Sequence, residues 1–360
     1  MSHADEELIE ELLAGNHRAL ARVITKIEDR SAGYRDLVSA LYSHTGHADV
    51  IGVTGSPGAG KSTLVDKLAK VYRDQGLTVG VIAVDPSSPF TGGAVLGDRV
   101  RMASTVGDMD VFVRSMSTRG SLGGLSTATT DAVKALDAFG KDKILIETVG
   151  AGQNEIDVVK TADTVAVLVP PESGDAIQML KAGILEIGDV FVVNKADLDG
   201  VDRTVQALRE MIQESDGRIG SHLLGGVGEN ATGTADGASA PDWEPAIVET
   251  IAKDGTGIDE LLAAFADHRQ FLDETGLYDR KERTRYAEEI RTLLREEAAR
   301  LMKHELDRQG GIEEFVTAVQ RGDADPYRIV DGLLEPVVEC LEDSQDQERD
   351  RPREPGQESV

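Results

Sequence analysis

The sequence predicts an α/β fold: a mostly parallel central sheet covered by helices on both faces. Two observations carry this reading. From residue 49 to about 270, continuous apolar runs of strand length alternate with segments whose apolar residues recur at helical spacing. A strand buried on both faces reads as such a run, whereas a half-exposed strand alternates apolar with polar. The second observation is the stretch Gly55-Ser56-Pro57-Gly58-Ala59-Gly60-Lys61-Ser62-Thr63, which stands between the first apolar run and the first helical pattern. That is the strand–turn–helix setting in which a glycine-rich sequence ending Gly-Lys-Ser binds phosphate.

Taken in order, residues 1–48 form a helical extension. Leu8, Leu12, Leu20, Val23, Ile24, Ile27, Leu37, Val38 and Leu41 fall at helical spacing and predict two or three helices that pack on the domain after them. The core domain spans 49–272. Its strands are expected at 49–54, 79–84, 111–113, 144–146, 164–169, 190–193 and 246–248. Leu64, Val65, Leu68 and Val71 mark the helix behind the glycine-rich turn. Residues 217–242 hold seven glycines among small polar residues and read as a flexible insertion. A helical region follows at 273–341, with segments at 279–308, 312–321 and 326–341. Ile290, Leu293, Leu294, Leu301 and Leu306 lie on one face of the first segment, either packing on the chain's own domain or joining two copies. The last stretch, 342–360, is charged and reads as a disordered acidic tail.

Charge narrows the partners. The 360 residues carry 65 acidic and 38 basic side chains, a net −27, with 25 arginines to 13 lysines and 4% aromatics. Such a surface argues against nucleic acid and against an anionic membrane, both of which need basic patches. Dense carboxylates with little lysine stay hydrated in concentrated salt. A halophilic archaeal host is therefore expected, with an acidic cytosolic protein as the alternative. A single cysteine, Cys340, excludes an internal disulfide framework and a cysteine-rich metal site. Without a secretory signal or long apolar span, the expected location is cytoplasmic.

In the glycine-rich turn, Gly55, Gly58 and Gly60 let the backbone approach phosphate, and successive N–H groups at a helix N-terminus favour negative charge. Lys61 would reach the β- and γ-phosphates, and the Ser62 hydroxyl would ligate Mg²⁺. Asn194-Lys195-Ala196-Asp197 ends a strand, where α/β sheets place ligand contacts. An aspartate so placed accepts from the ring N–H and exocyclic amino group of guanine. Adenine lacks that donor pair, and Asp197 against it would be left unpaired. The combination points to GTP rather than ATP. Glu147, ahead of Thr148-Val149-Gly150, ends a buried strand and is expected to hold Mg²⁺ directly or through water. The Gly150 N–H would meet the γ-phosphate, which makes 150–155 the segment that senses hydrolysis. Asp85 and Asp98 are candidates to complete the metal shell or position the attacking water; the alternative for each is a solvated helix cap. Gln153 is the other candidate for orienting that water. Arg99, Arg101, Arg114 and Arg119 either meet phosphate or partner carboxylates, or form salt bridges within the domain.

Together with Asp85-Pro86-Ser87-Ser88-Pro89-Phe90-Thr91-Gly92-Gly93, Leu96–Met102, Arg119–Leu125 and Glu147-Thr148-Val149-Gly150-Ala151-Gly152-Gln153, these signatures resemble the MeaB/ArgK branch of metallochaperone-type P-loop GTPases. The resemblance covers about 45–270 strongly and the flanking helices in layout. It implies the P-loop NTPase fold and a weak GTPase, dependent on Mg²⁺ and bound to GTP or GDP. The implied client is methylmalonyl-CoA mutase, whose adenosylcobalamin loading the cycle would gate and whose activity it would protect. It also implies a homodimer through the C-terminal helices, and a further switch at Pro170–Lys181 in which Lys181 is retained while Ala176 replaces an acidic residue. Ala252, before Lys253, would supply a backbone N–H to the guanine carbonyl. Two alternatives stand beside this reading: a nickel-delivery GTPase, which the lone cysteine disfavours, and an ATP-dependent kinase linked to amino-acid transport, which Asp197 disfavours.

Overall fold

A computed structural model of the chain describes residues 1–85, 104, 107–117, 124–148, 161–171, 185–214, 243–308 and 310–335. The segment 217–242 and the tail 342–360 lie outside them. The chain divides into two units, Met1–Ala287 and Glu288–Val360.

The first unit is built on seven parallel strands: β1 (Asp49–Gly55), β2 (Val79–Asp85), β3 (Val111–Ser117), β4 (Lys143–Thr148), β5 (Thr164–Val169), β6 (Val190–Asn194) and β7 (Ala246–Thr250). Their order across the sheet is β3-β2-β4-β1-β5-β6-β7. The strand carrying the glycine-rich turn is thus central, flanked by β4 and β5. In register, Val53 lies beside Glu147 and Gly55 beside Leu168. This brings the C-terminal ends of β1, β4 and β5 together at the point where the strand order reverses, the customary ligand crevice of such sheets.

The apolar runs explain the layers, because alternate residues of each strand feed opposite faces. Ile51, Val53, Leu145, Ala166, Leu168, Val190 and Val192 pack against α4 (Lys61–Asp74) and α7 (Ile258–Thr275). Val50, Ile82, Ile144, Ile146, Val165, Val167, Phe191 and Val193 face the other way. There they meet α5 (Gly124–Ala138), α6 (Val201–Glu214) and the N-terminal helices α1 (His3–Leu13), α2 (His17–Glu28) and α3 (Tyr34–Leu41). The extension is therefore three helices whose Leu12, Leu20, Val23, Ile24, Ile27, Leu37 and Leu41 are fully buried in the main core. Burying each such side chain contributes roughly 1.5–3 kcal/mol.

A row of aspartates finishes the opposite, N-terminal edge of the sheet. Each stands before a strand or turn and accepts from neighbouring backbone. Asp142 caps the Thr78 N–H at 2.6 Å, Asp163 the Val50 N–H at 2.9 Å and Asp189 the Val165 N–H at 2.9 Å.

Helix α8 (Leu277–Arg308) begins in the first unit and ends in the second, which also holds α9 (Ile312–Arg321) and helical residues 326–335. No described residue of the second unit is buried. Ile290, Leu294, Leu301, Ile312, Val316, Tyr327 and Val330 are all exposed.

Candidate functional site

The turn at 55–60 follows from its glycines. Gly55 has φ 140° and Gly60 φ 98°, in the region that disfavours side chains. A Cβ on Gly55 would run into the Leu168 carbonyl of β5, and one on Gly60 into the Asn194 amide. The turn is closed by the Ala59 N–H donating to the Ser56 carbonyl at 3.2 Å. Gly60 caps α4 with no side-chain hydrogen bond, so the first N–H groups of the helix have no side-chain cap. The Ser56 Oγ is buried without a hydrogen-bond partner. Pro57, Gly58 and Thr63 are exposed on the mouth of the turn.

Lys61 is buried and bends back, its Nζ donating to the Gly55 and Ser56 carbonyls, each at 2.9 Å. The ammonium thus lies along the inner edge of the turn. Ser62 donates its hydroxyl to Oε1 of Glu147, which is 3% exposed at the end of β4. A hydroxyl and a buried carboxylate brought together are the hard oxygen donors that suit Mg²⁺. Behind them, Thr148 donates to Thr54 at 2.9 Å and ties β4 to β1.

Asn194 joins three elements. Its Nδ2 donates to the Ala59 carbonyl at 2.7 Å, and its Oδ1 accepts from the Thr250 hydroxyl and the Ala252 N–H, each at 3.1 Å. One side chain thereby fixes the phosphate turn against the loop after β7. The Ala252 N–H, expected toward a guanine carbonyl, donates to Asn194 here. Lys195 takes φ 66°, a left-handed conformation costly for a side chain with a Cβ. The strained turn leaves Lys195 half-buried and Asp197 exposed beyond it. The Ala196 N–H donates to the Thr250 carbonyl at 3.0 Å, so Thr250 contacts this tetrapeptide through both backbone and side chain.

The structure thus brings Gly55–Thr63, Glu147, Asn194–Asp197 and Ala252 to one edge of the sheet. Asp85 ends β2 at the same edge, but its side chain is outside the described residues, as are Asp98, Gly150, Gln153 and Lys181. Thr250 is the contact that sequence reasoning missed; its signal was its place at the end of β7, two residues before Ala252. Of the arginine group, Arg114 resolves. Its Nη2 donates to Glu28 at 2.6 Å and to the Thr25 hydroxyl at 3.2 Å. Arg114 therefore binds β3 to α2 through a salt bridge within the domain.

Residues 20–307 match the family described as methylmalonyl Co-A mutase-associated GTPase MeaB. The chain belongs to that family. It is a P-loop GTPase of the MeaB/ArgK type, and its similarity to known proteins runs nearly end to end. A Pyrococcus horikoshii protein whose name gives it as a GTPase is 46% identical over 336 residues, covering 92% of this chain and 98% of that one. The Escherichia coli GTPase ArgK is 32% identical over 302 residues, 83% of this chain and 85% of ArgK. A crystal structure described as a LAO/AO transport system kinase superposes with a TM-score of 0.60 at 26% identity, covering 94% of this chain and 99% of that one. Among the described residues, no helix of this MeaB-family chain is long and apolar enough to cross a membrane.

Proposed function

We propose that this GTPase is a chaperone that gates adenosylcobalamin loading onto a methylmalonyl-CoA mutase and protects that enzyme from inactivation. The observation that carries the nucleotide part is the Asn194 node. It links the glycine-rich turn at Ala59 to the end of β7 at Thr250, so that one side chain would set the phosphate turn against the loop that would meet the base. The partner rests on the family, whose description names that mutase.

In this reading, Gly55–Thr63 cradle the phosphates of GTP or GDP. Lys61 exchanges the Gly55 and Ser56 carbonyls for phosphate oxygens. Asp197 selects guanine, and the Ala252 N–H turns from Asn194 to the guanine carbonyl. Ser62 and Glu147 would hold Mg²⁺, which would supply neutralisation of phosphate charge. Asp85 and Asp98 are proposed to complete its shell, Gly150 to sense the γ-phosphate, and Gln153 or Asp98 to orient water. Lys181 is assigned to the segment that answers the mutase. Two copies would associate through the exposed apolar faces of the second unit, where Ile290 is 65% and Leu294 69% exposed.

Nucleotide titration tests the base assignment. GTP should bind far more tightly than ATP, and Asp197→Asn should move the preference toward xanthine nucleotides; equal affinity for ATP would remove it. Lys61→Ala should abolish turnover. For the partner, the mutase from the same host should raise GTP turnover in concentrated salt. Absence of both complex and stimulation would remove the mutase and leave the GTPase standing.

A further inference from the structure

The two charges that α8 places in its first turns, Lys281 and Arg285, reach into the N-terminal edge of the sheet. Arg285 Nη1 donates to Asp163 Oδ1 at 2.8 Å and to the Thr161 carbonyl at 2.9 Å. One turn earlier, Lys281 Nζ donates to the Asp163 carbonyl at 2.6 Å and faces Asp189 Oδ2 at 3.4 Å. Asp163, Asp189 and Lys281 are 5% exposed or less in their side chains. Two carboxylates and two cations make the cluster electrically neutral. His268 and Trp243 close its other side: the His268 ring lies 3.4 Å from Asp189 Oδ1, and the Trp243 indole donates to the Asp189 carbonyl at 2.8 Å. Burial disfavours the charge on Arg285, but Asp163 beside it outweighs that and the net shift is upward.

This clamp differs from an ordinary anchor in what Asp163 does on its other side. Its Oδ2 accepts from the Val50 N–H at 2.9 Å, while its own N–H donates to the Val50 carbonyl at 2.7 Å. Val50 lies on β1, the strand that delivers the phosphate turn, and about 17 Å of extended chain separates it from Gly55. Thr161, the other acceptor of Arg285, also meets the Thr130 hydroxyl of α5 at 3.0 Å. In the sequence it follows directly on 149–160, which carries Gly150 and Gln153.

We propose that Arg285 is a positioning residue for GTP hydrolysis, acting from α8 through Asp163 on β1, the strand that leads into the glycine-rich turn. The proposal rests on reading Gly55–Thr63 as the phosphate site. A guanidinium nitrogen gripping two acceptors holds them in fixed relation, and a shift of the helix is passed along β1 because a packed strand moves as a unit. The start of α8 is thereby given a path to the glycine-rich turn that does not touch it.

The experiment compares Arg285→Gln and Arg285→Lys in the full chain, at a temperature where both are folded. Steady-state GTP turnover is combined with amide exchange of 55–63 and 277–287 in GTP and in GDP. We expect Arg285→Gln to lower kcat by about ten-fold or more with KM little changed, and Arg285→Lys to recover most of it. In the natural protein, exchange at 277–287 should differ between the two nucleotides, and Arg285→Gln should erase that difference while 55–63 still responds. A variant with a lower Tm but unchanged kcat and an intact exchange difference overturns the proposal, since the clamp is then only a fastening. If Arg285→Gln does not fold, Lys281→Met decides by the same criteria. If 55–63 responds to no nucleotide in any variant, the site reading fails, and the proposal with it.

Discussion

The side-chain amide of Asn194 occupies the volume that a Cβ on Gly60 would fill. Because the same amide donates to Ala59 and accepts from Thr250 and Ala252, this one missing methyl lets the glycine-rich turn and the loop after β7 share a hinge pin. Gly60→Ala should therefore weaken guanine nucleotide binding by at least about ten-fold, since it strains φ and breaks a buried hydrogen bond together. Titration with a fluorescent GTP analogue measures it; natural affinity in the variant would contradict the finding.

Thr250→Val keeps the shape at the end of β7 and removes one of two donors to Asn194. Loss of a single buried hydrogen bond costs about 1 kcal/mol, or roughly five-fold in affinity. Calorimetric titration of GDP should show that loss in Thr250→Val and its recovery in Thr250→Ser.

Ser62 and Glu147 are already in contact, so the donors proposed for Mg²⁺ need little rearrangement to meet it. Ser62→Ala should raise the magnesium concentration for half-maximal turnover by about ten-fold or more. Activity measured across a magnesium series is the check, and an unchanged midpoint would place the metal elsewhere.

A pH effect belongs to the N-terminal helices. Hydrogen bonds from Lys26 and Ser2 hold the buried Asp5 carboxyl at about 2, below its ordinary 3.8. A depressed folded value means the stability it contributes is complete above the unfolded value and is lost as pH falls through the folded one. Melting of the natural protein and of Asp5→Asn should differ by a constant amount near neutrality. The gap should close between about pH 4 and pH 2.

Ile290 and Leu294 sit one turn apart on the same exposed face of α8. Replacing both with glutamate should convert a dimer to a monomer in light scattering while leaving nucleotide affinity unchanged. A monomeric natural protein would remove the proposed association.

Much of the fold is legible in the sequence. Each of the seven strands contains an apolar run, because a parallel strand covered on both faces is largely apolar. The turn at 55–63 was equally open, since its glycines, lysine and serine are contiguous and their spacing alone dictates the cradle. Thr250 was harder. Its partner Asn194 lies 56 residues away, and a threonine ending a strand announces nothing until β6 and β7 are side by side. Arg114 was ambiguous for the same reason: its charge is visible in the sequence, but whether it meets phosphate or Glu28 depends on which helix covers β3.

By itself, then, the sequence determined the layers of the sheet, the glycine-rich turn and the Asn-Lys-x-Asp tetrapeptide at the end of β6, all of them local patterns. Tertiary structure alone decided that Asn194 binds the turn to the loop after β7, and that Lys281 and Arg285 of α8 grip Asp163 from 118 and 122 residues away. The physical reason is burial. A charge or amide withdrawn from water must find its partner wherever the fold has put one, and no spacing along the chain records that distance.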